Sequence, residues 1–128
     1  GVEYINAGDW VMAIEEFDEA IELDPNYASA YIARGYVYRV LGQYQNAIND
    51  YTIAIQAEPS AWLYSDRGYS YLSLDQYQNA VNDYTMAIQL EPSGLRYNNR
   101  AVAYYYLGET TKMEADDAAA CSLDSQYC

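Results

Sequence analysis

The chain repeats itself with a period of 33 to 34 residues. Three tripeptides of one kind, an acidic residue, a proline and a small polar residue, mark the period: Asp24-Pro25-Asn26, Glu58-Pro59-Ser60 and Glu91-Pro92-Ser93. A near copy of one segment precedes each of them, as in Tyr44-Gln45-Asn46-Ala47-Ile48 and Tyr77-Gln78-Asn79-Ala80-Val81. A period of this length with helical spacing inside it predicts stacked helical units, each burying its apolar face against its neighbours.

Each repeat contains two predicted helices. In the second repeat, apolar or small residues at helical spacing predict a first helix from Ala28 to Leu41. Tyr44 begins the second helix, and Pro59 ends it, because the residue before a proline is disfavoured in helical geometry. The predicted N-caps of the following helices are Asn26, Ser60 and Ser93.

Equivalent positions keep their residue type from repeat to repeat. The turn between the two helices has Gly8, Gly42, Asp75 and Gly108. A small residue in the first helix, Gly35, Gly68 or Ala101, recurs alongside a residue of the second helix, Tyr51, Tyr84 or Asp117. Small positions let two helices approach closely, and bulky positions fill the remaining space.

These columns resemble the tetratricopeptide repeat over essentially the whole chain. The resemblance implies an all-α fold, a right-handed superhelical solenoid of antiparallel helix pairs. We expect a single domain over residues 1–125, with a partial first repeat 1–25, repeats 26–59, 60–92 and 93–125, and a tail 126–128. The last second helix, Thr110 to Leu123, is polar where its predecessors are aromatic, which predicts a terminal cap at the end of the array.

Arginine and aspartate recur with the same period. Each arginine precedes its aspartate by 16 residues, from the first helix to the second, in the pairs Arg34 and Asp50, Arg67 and Asp83, and Arg100 and Asp116. One interpretation is a basic stripe that binds a carboxylate ligand. The favoured interpretation is a structural ion pair inside each repeat, because arginine suits bidentate pairing. Arg39, Arg96 and Lys112 then remain for other roles.

The resemblance also implies a concave groove lined by the first helices. The predicted peptide-binding residues are Ile32, Tyr36, Arg39, Trp62, Ser65, Tyr69, Leu72, Leu95, Asn98, Asn99, Val102 and Tyr105. Aromatic rings offer contact area at low entropic cost, and amides satisfy a peptide backbone. Some family members bind acidic chaperone tails through a clamp that includes lysines, and those lysines are missing here.

The net charge of −13 limits the partners. Such a chain repels phosphate backbones and anionic membrane surfaces, so we expect no nucleic acid, and a neutral to basic protein or peptide instead. No stretch has the roughly 18 apolar residues of a membrane helix. The chain has no histidine, no glycine-rich phosphate loop and no metal-ligand cluster, so we expect no catalysis, no cofactor and no metal.

The sequence leaves an alternative function and a question of cysteine chemistry. An open N-terminal edge around Tyr4, Ala7 and Trp10 suggests self-assembly into homo-oligomers, because stacked repeats need only a neighbour. Cys121 and Cys128 lie about 10 Å apart on a continuous helix, too far for a disulfide. We therefore expect two free thiols, since a bridge requires the tail to fold back after Leu123.

Overall fold

A computed structural model describes residues 7–128, and over this span it contains only helices and turns. The α-helices are α1 (Ala7–Leu23), α2 (Ala28–Val40), α3 (Tyr44–Ala57), α4 (Ala61–Ser73), α5 (Tyr77–Leu90), α6 (Gly94–Tyr106) and α7 (Thr110–Leu123). The predicted all-α fold of helix pairs is confirmed. Contacts divide the chain into an N-terminal unit that ends at Glu58 and a C-terminal unit from Pro59 to Cys128. Within the described residues, no helix combines the length and the apolar character that crossing a membrane requires.

In the N-terminal unit, α2 packs against both α1 and α3. The turn that leads into α2 differs from the prediction, because Tyr27 and not Asn26 occupies the N-cap position. The backbone N–H of Asn26 instead donates to the Asp24 side chain, and the backbone N–H of Tyr27 donates to the Asp24 carbonyl. This turn has one residue more than its later counterparts, and the extra residue moves the start of the helix beyond Asn26.

In the C-terminal unit, α4 pairs with α5, α6 packs on α5, and α7 pairs with α6. The hydroxyl of Ser60 accepts the backbone N–H of Leu63 at 3.1 Å, and that of Ser93 accepts the N–H of Arg96 at 3.2 Å. Both predicted N-caps are thus confirmed, and each satisfies a helix-terminal donor that has no intrahelical partner.

The turns between paired helices need a left-handed backbone. Gly42, Asp75 and Gly108 have φ values of 77°, 61° and 76°. This conformation favours glycine, and aspartate is among the few other residues that tolerate it. Gly8 was assigned to the same column, but it lies in the first turn of α1, so that assignment is wrong.

Close helix approach explains why one column has glycine in two repeats and alanine in the last. A Cβ added at Gly68 would lie 3.2 Å from the ring of Tyr84, and one added at Gly35 would lie 2.9 Å from the ring of Tyr51. Both tyrosines are fully buried. In the last repeat the tyrosine is replaced by Asp117, and alanine occurs at position 101.

The expectation of free thiols is wrong, because Cys121 and Cys128 form a disulfide. The chain leaves α7 at Asp124 and makes a short 3₁₀ turn, Ser125–Tyr127, which brings the two Cα atoms to 4.5 Å. The residues 126–128 expected as a tail are therefore folded back. This turn could be predicted from the sequence, because the Asp-x-x-Tyr pattern of residues 24–27 recurs at residues 124–127. Both segments make the same backbone contacts.

Candidate peptide-binding surface

The structure brings each periodic arginine together with the aspartate sixteen residues later. Arg67 donates from Nε and Nη2 to the two carboxylate oxygens of Asp83, both at 2.8 Å. Arg34 makes the same two bonds to Asp50, and Arg100 makes them to Asp116. Each aspartate is buried, so these are bidentate pairs between the two helices of a repeat.

Two tyrosine rings flank every one of these guanidinium groups. The Arg67 guanidinium carbon lies 5.7 Å from the ring centre of Tyr64 and 5.8 Å from that of Tyr71. The same arrangement surrounds the other two arginines, with Tyr31 and Tyr38 at Arg34 and Tyr97 and Tyr104 at Arg100. Cation–π attraction to both rings adds to the ion pair. The spacing Tyr-x-x-Arg-x-x-x-Tyr recurs at all three arginines and is the sequence signal from which this arrangement could be predicted.

Arg34 and Arg100 also contact the second helix of the preceding repeat. Arg34 donates from Nη1 to Asp18 on α1 at 2.8 Å, and Arg100 donates from Nη1 to Thr85 on α5 at 3.1 Å. Asp18 and Thr85 occupy equivalent positions, one after the aromatic residues Phe17 and Tyr84. Each of these two arginines therefore connects three helices.

Electrostatics agree with a structural role for the pairs. Hydrogen bonding to Asp83 raises the pKa of Arg67 above its ordinary value, against the opposing effect of burial. Burial raises the pKa of the Asp83 carboxyl, and Arg67 works against that rise. Two parallel bonds of 2.8 Å fit a pair that is ionised on both sides at neutral pH. These arginines are committed to the fold and are not available to bind a carboxylate ligand.

The predicted groove residues of the C-terminal unit lie on α4 and α6, which contact each other. None of them is buried. Ser65, Leu72, Asn98 and Asn99 are half-buried. The exposed ones are Trp62, Tyr69, Leu95, Val102 and Tyr105, with Tyr105 exposed to 64%. The two helices thus present exposed rings beside partly covered amides.

The side chain of Arg96 connects α6 to α4. Its Nε donates to the Ser65 hydroxyl at 2.7 Å, and its Nη1 donates to the Glu91 carbonyl at 2.6 Å. Arg96, which the periodic pairs leave for other roles, is thus largely covered and bonded within the fold. Ser65 consequently acts as an acceptor within the fold.

A buried phenol lies beneath the surface formed by α4 and α6. The Tyr84 hydroxyl is buried and has no hydrogen-bond partner among residues 7–128. Burial raises the pKa of Tyr84 well above its ordinary value, and Asn99 opposes this rise. The half-buried Asn99 side chain therefore borders both the surface and the buried Tyr84.

The remaining groove residues belong to the N-terminal unit, on α2. Tyr36 is 40% exposed, and the Arg39 guanidinium carbon lies 5.1 Å from its ring centre. Ile32 is half-buried. The ring of Trp10 meets Tyr36 edge-on, with centroids 6.5 Å apart. Of the proposed N-terminal edge, Tyr4 and the side chain of Ala7 lie outside the described residues.

Comparison with known families places repeat models along most of the chain. Residues 1–39 match a model described as TPR repeat. Residues 28–61 and 61–93 match two models described as tetratricopeptide repeat. Together the three matches cover residues 1–93.

Individual proteins show the same similarity. The chain is 35% identical over 60 residues to tetratricopeptide repeat protein 14 of Mus musculus, a match that covers 47% of this chain but only 8% of the mouse protein. The crystal structure of MamA superposes with a TM-score of 0.89 at 22% identity, covering 96% of this chain and 77% of MamA. The second TPR domain of Spaghetti, solved with an HSP90 peptide, superposes with a TM-score of 0.72 at 29% identity, covering 83% of this chain and 99% of that domain.

Proposed function

Because the chain belongs to the tetratricopeptide repeat family, we propose that it is a non-catalytic scaffold that binds a peptide segment of another protein. The fold supports protein–protein interaction as the general activity. The peptide site that we propose is the surface of α4 and α6 defined by Trp62, Tyr69, Leu95, Asn98, Asn99, Val102 and Tyr105. Ile32, Tyr36 and Arg39 on α2 are proposed as further contacts.

One observation carries this proposal. Large rings and aliphatic side chains are exposed on the same two helices that hold half-buried amides, with Trp62 at 43% and Tyr69 at 41% exposure. Exposed aromatic clusters rimmed by polar groups are typical of protein-binding surfaces. The amides of Asn98 and Asn99 offer both donors and acceptors, which suits the backbone of an extended peptide.

The charge of the C-terminal unit supports a neutral to basic partner. The unit holds nine acidic residues (positions 66, 75, 83, 91, 109, 114, 116, 117 and 124) and four basic ones (positions 67, 96, 100 and 112), a net charge of −5. Arg67, Arg96 and Arg100 are engaged within the fold. The HSP90 peptide in the Spaghetti complex has the acidic sequence SRMEEVD. We expect this chain to discriminate against such a peptide, because it has a single lysine, Lys112.

The test begins with peptides selected from a random library by phage display on the immobilised chain. The affinity of a selected, fluorescently labelled peptide is then measured by anisotropy. Tyr69→Ala and Asn98→Ala are expected to weaken binding about tenfold or more, as truncation of central interface anchors does. Met86→Ala is the matched control, since Met86 is equally exposed, at 40%, but lies on the second helix α5.

Two results would contradict the proposal. One is unchanged affinity in both groove variants. The other is an equal loss in Met86→Ala, which would indicate binding elsewhere. The peptide SRMEEVD serves as the acidic control, and we expect it to bind more weakly than the selected peptide at physiological salt.

A further inference from the structure

Tyr77 and Tyr106 form a stacked pair of rings in the C-terminal unit. Tyr77 is the first residue of α5 and Tyr106 is the last residue of α6, so the pair links the second helix of one repeat to the first helix of the next. The ring centres lie 4.8 Å apart, and the ring planes are nearly parallel, at 9°. Tyr106 is 59% exposed and Tyr77 is half-buried, so both rings are accessible from solvent.

The phenol of Tyr77 has a carboxylate as its hydrogen-bond acceptor. Its hydroxyl donates to Oδ1 of Asp75 at 2.9 Å. Asp75 lies in the left-handed turn before α5 with a φ of 61°, where the equivalent residues are Gly42 and Gly108. Aspartate is tolerated in this conformation but is disfavoured relative to glycine. Residues in such disfavoured conformations are concentrated at functional sites, and here the residue holds a phenol proton.

Asp75 and Tyr106 both depart from the repeat pattern. One period earlier, the residues equivalent to Asp75, Tyr77 and Tyr106 are Gly42, Tyr44 and Ser73. The tyrosine that begins the second helix is thus shared by the two repeats, whereas the carboxylate and the second ring are not. Stacking of repeats requires neither of them, because the earlier copy has neither. Their joint occurrence beside one tyrosine indicates a chemical role in addition to packing.

A third tyrosine beside this pair has a different geometry. Tyr105 meets Tyr106 edge-on, with ring centres 5.3 Å apart and an angle of 79° between the planes. When two phenoxyl radicals couple, a bond forms between the ring carbons next to the hydroxyls, and the rings approach face to face. The stacked pair is therefore arranged for coupling, and the edge-on pair is not. Because Tyr105 is 64% exposed, it is a control of comparable accessibility.

The cysteines of the chain favour the survival of a tyrosyl radical. Cys121 and Cys128 are its two cysteines, and they form a disulfide. No thiol of the chain is then left to reduce a radical before it couples. Disulfides also persist in oxidising surroundings, which are the conditions under which tyrosines are oxidised.

From these relationships we infer that Tyr77 and Tyr106 are a site of oxidative cross-linking, at which hydrogen peroxide and a haem peroxidase join the two rings into a dityrosine. Each phenol loses one electron to the peroxidase and one proton, and Asp75, within the range of a general base, takes the proton of Tyr77. A bond then forms between the ring carbons next to the hydroxyls, and the hydrogens of these carbons restore the two hydroxyls. Overall, the pair loses two hydrogen atoms and one peroxide is reduced to two water molecules. The bond ties α5 to α6, and the inference is independent of peptide binding.

The experiment treats the dilute, disulfide-bonded chain with a haem peroxidase and limiting hydrogen peroxide. Dityrosine fluorescence and intact mass follow the reaction, and a protease digest locates the linked peptides. We expect a monomer that is lighter by two hydrogen atoms, with the link between residues 77 and 106. Tyr106→Phe should reduce dityrosine to the level seen without peroxide, whereas Tyr105→Phe should keep it. Both substitutions are at exposed sites, and circular dichroism checks that the fold is retained.

Asp75→Asn tests the part assigned to the carboxylate. Asparagine also tolerates the left-handed turn and accepts a hydrogen bond, but it is not a base at neutral pH. This variant should form the same link more slowly. The absence of a link, a link between other residues, only intermolecular links, or an unchanged yield in Tyr106→Phe would overturn the inference. An unchanged rate in Asp75→Asn would overturn the assignment of Asp75 as the base.

Discussion

Arg67 and Asp83 lie sixteen residues apart in the chain and meet through two parallel hydrogen bonds of 2.8 Å. The Asp83 side chain is only 6% exposed, and the guanidinium lies between the rings of Tyr64 and Tyr71. The same arrangement of a bidentate ion pair and two rings, here called the arginine clamp, recurs at Arg34 and Arg100. The periodic charges are therefore part of what holds the two helices of each repeat together.

Removing the arginine of one clamp is expected to destabilise the protein strongly. Arg67→Ala leaves the Asp83 carboxylate buried without its partner, and breaking a buried pair in this way costs roughly 3–5 kcal/mol of unfolding free energy. Urea denaturation followed by circular dichroism measures the change. Lys112→Ala is the control, because the exposed Lys112–Glu109 pair at 4.0 Å contributes about 1 kcal/mol or less. Equal, small effects of the two substitutions would contradict the role assigned to the clamp.

Glycine and alanine should have opposite rankings at equivalent positions of two repeats. Gly68→Ala gains about 1 kcal/mol in helix propensity, but crowding against Asp83 and the Tyr84 ring costs about 1–3 kcal/mol. We expect a net loss of about 1 kcal/mol. Ala101 lies in the same surface cleft as Asp117, the residue that replaces the buried tyrosine in this repeat. Ala101→Gly should therefore also lower the unfolding free energy by about 1 kcal/mol, because of the lower helix propensity of glycine alone. A stabilising Gly68→Ala would show that the helices do not approach as closely as described.

Tyr84 predicts a specific response to alkaline pH. Burial raises the pKa of its phenol above the value of 10.0 for an exposed tyrosine. Below pH 10 both the folded and unfolded states keep the proton. Above it the unfolded chain releases the proton while the folded chain retains it, so the unfolding free energy falls by up to about 1.4 kcal/mol per pH unit for this group. Tyr84→Phe should make the alkaline decline shallower.

The same substitution should be nearly neutral or slightly stabilising at pH 7. The Tyr84 hydroxyl has no hydrogen-bond partner in the described part of the chain, so phenylalanine removes a buried polar group at little cost. Tyr105→Phe serves as the control, since the Tyr105 side chain is 64% exposed. A loss well above 1 kcal/mol in Tyr84→Phe at pH 7 would indicate a hydrogen bond to Asn99 that the geometry does not contain.

The disulfide should affect the end of the chain more than the helices. It holds the 3₁₀ turn Ser125–Tyr127 in place. The Tyr127 ring packs there against Gly94, so closely that a Cβ added at Gly94 would lie 3.0 Å from the ring. Reduction is expected to increase amide hydrogen exchange in residues 124–128 and to leave α4 and α5 protected. Cys121→Ser should reproduce the effect without a reductant. Unchanged exchange in the tail, or no mass difference between oxidised and reduced protein, would contradict this assignment.

Features that recur in the repeats were predictable from the sequence, because each copy confirms the register of the others. The bounds of α7, the caps at Ser60 and Ser93, and the proximity of Arg67 to Asp83 all follow from columns that repeat. Features that occur once have no such support. The bond between Arg96 and Ser65 joins two helices through side chains that are not periodic, and no spacing rule predicts it.

The errors at Asn26 and at the cysteines have a common physical origin. Both depend on how the backbone turns after a helix, and a single residue changes the outcome. Tyr27 lengthens one turn and takes over the cap, and the turn after Asp124 converts a helical separation into a Cα distance of 4.5 Å. The tyrosines around the arginines recur in columns too, but a column pattern does not distinguish a ring in the core from a ring over a cation.

Peptide binding by the first helices can be located on the molecule by an NMR titration. The ¹⁵N-labelled chain is titrated with a library-selected neutral or basic peptide, and amide shift changes are assigned to residues. We expect the largest changes on the exposed face of α4 and α6, around Trp62, Tyr69, Asn98 and Tyr105, and little change in α5. Shift changes confined to α5, or a selected peptide that produces no shifts on α4 and α6, would show that the peptide does not bind to the first helices.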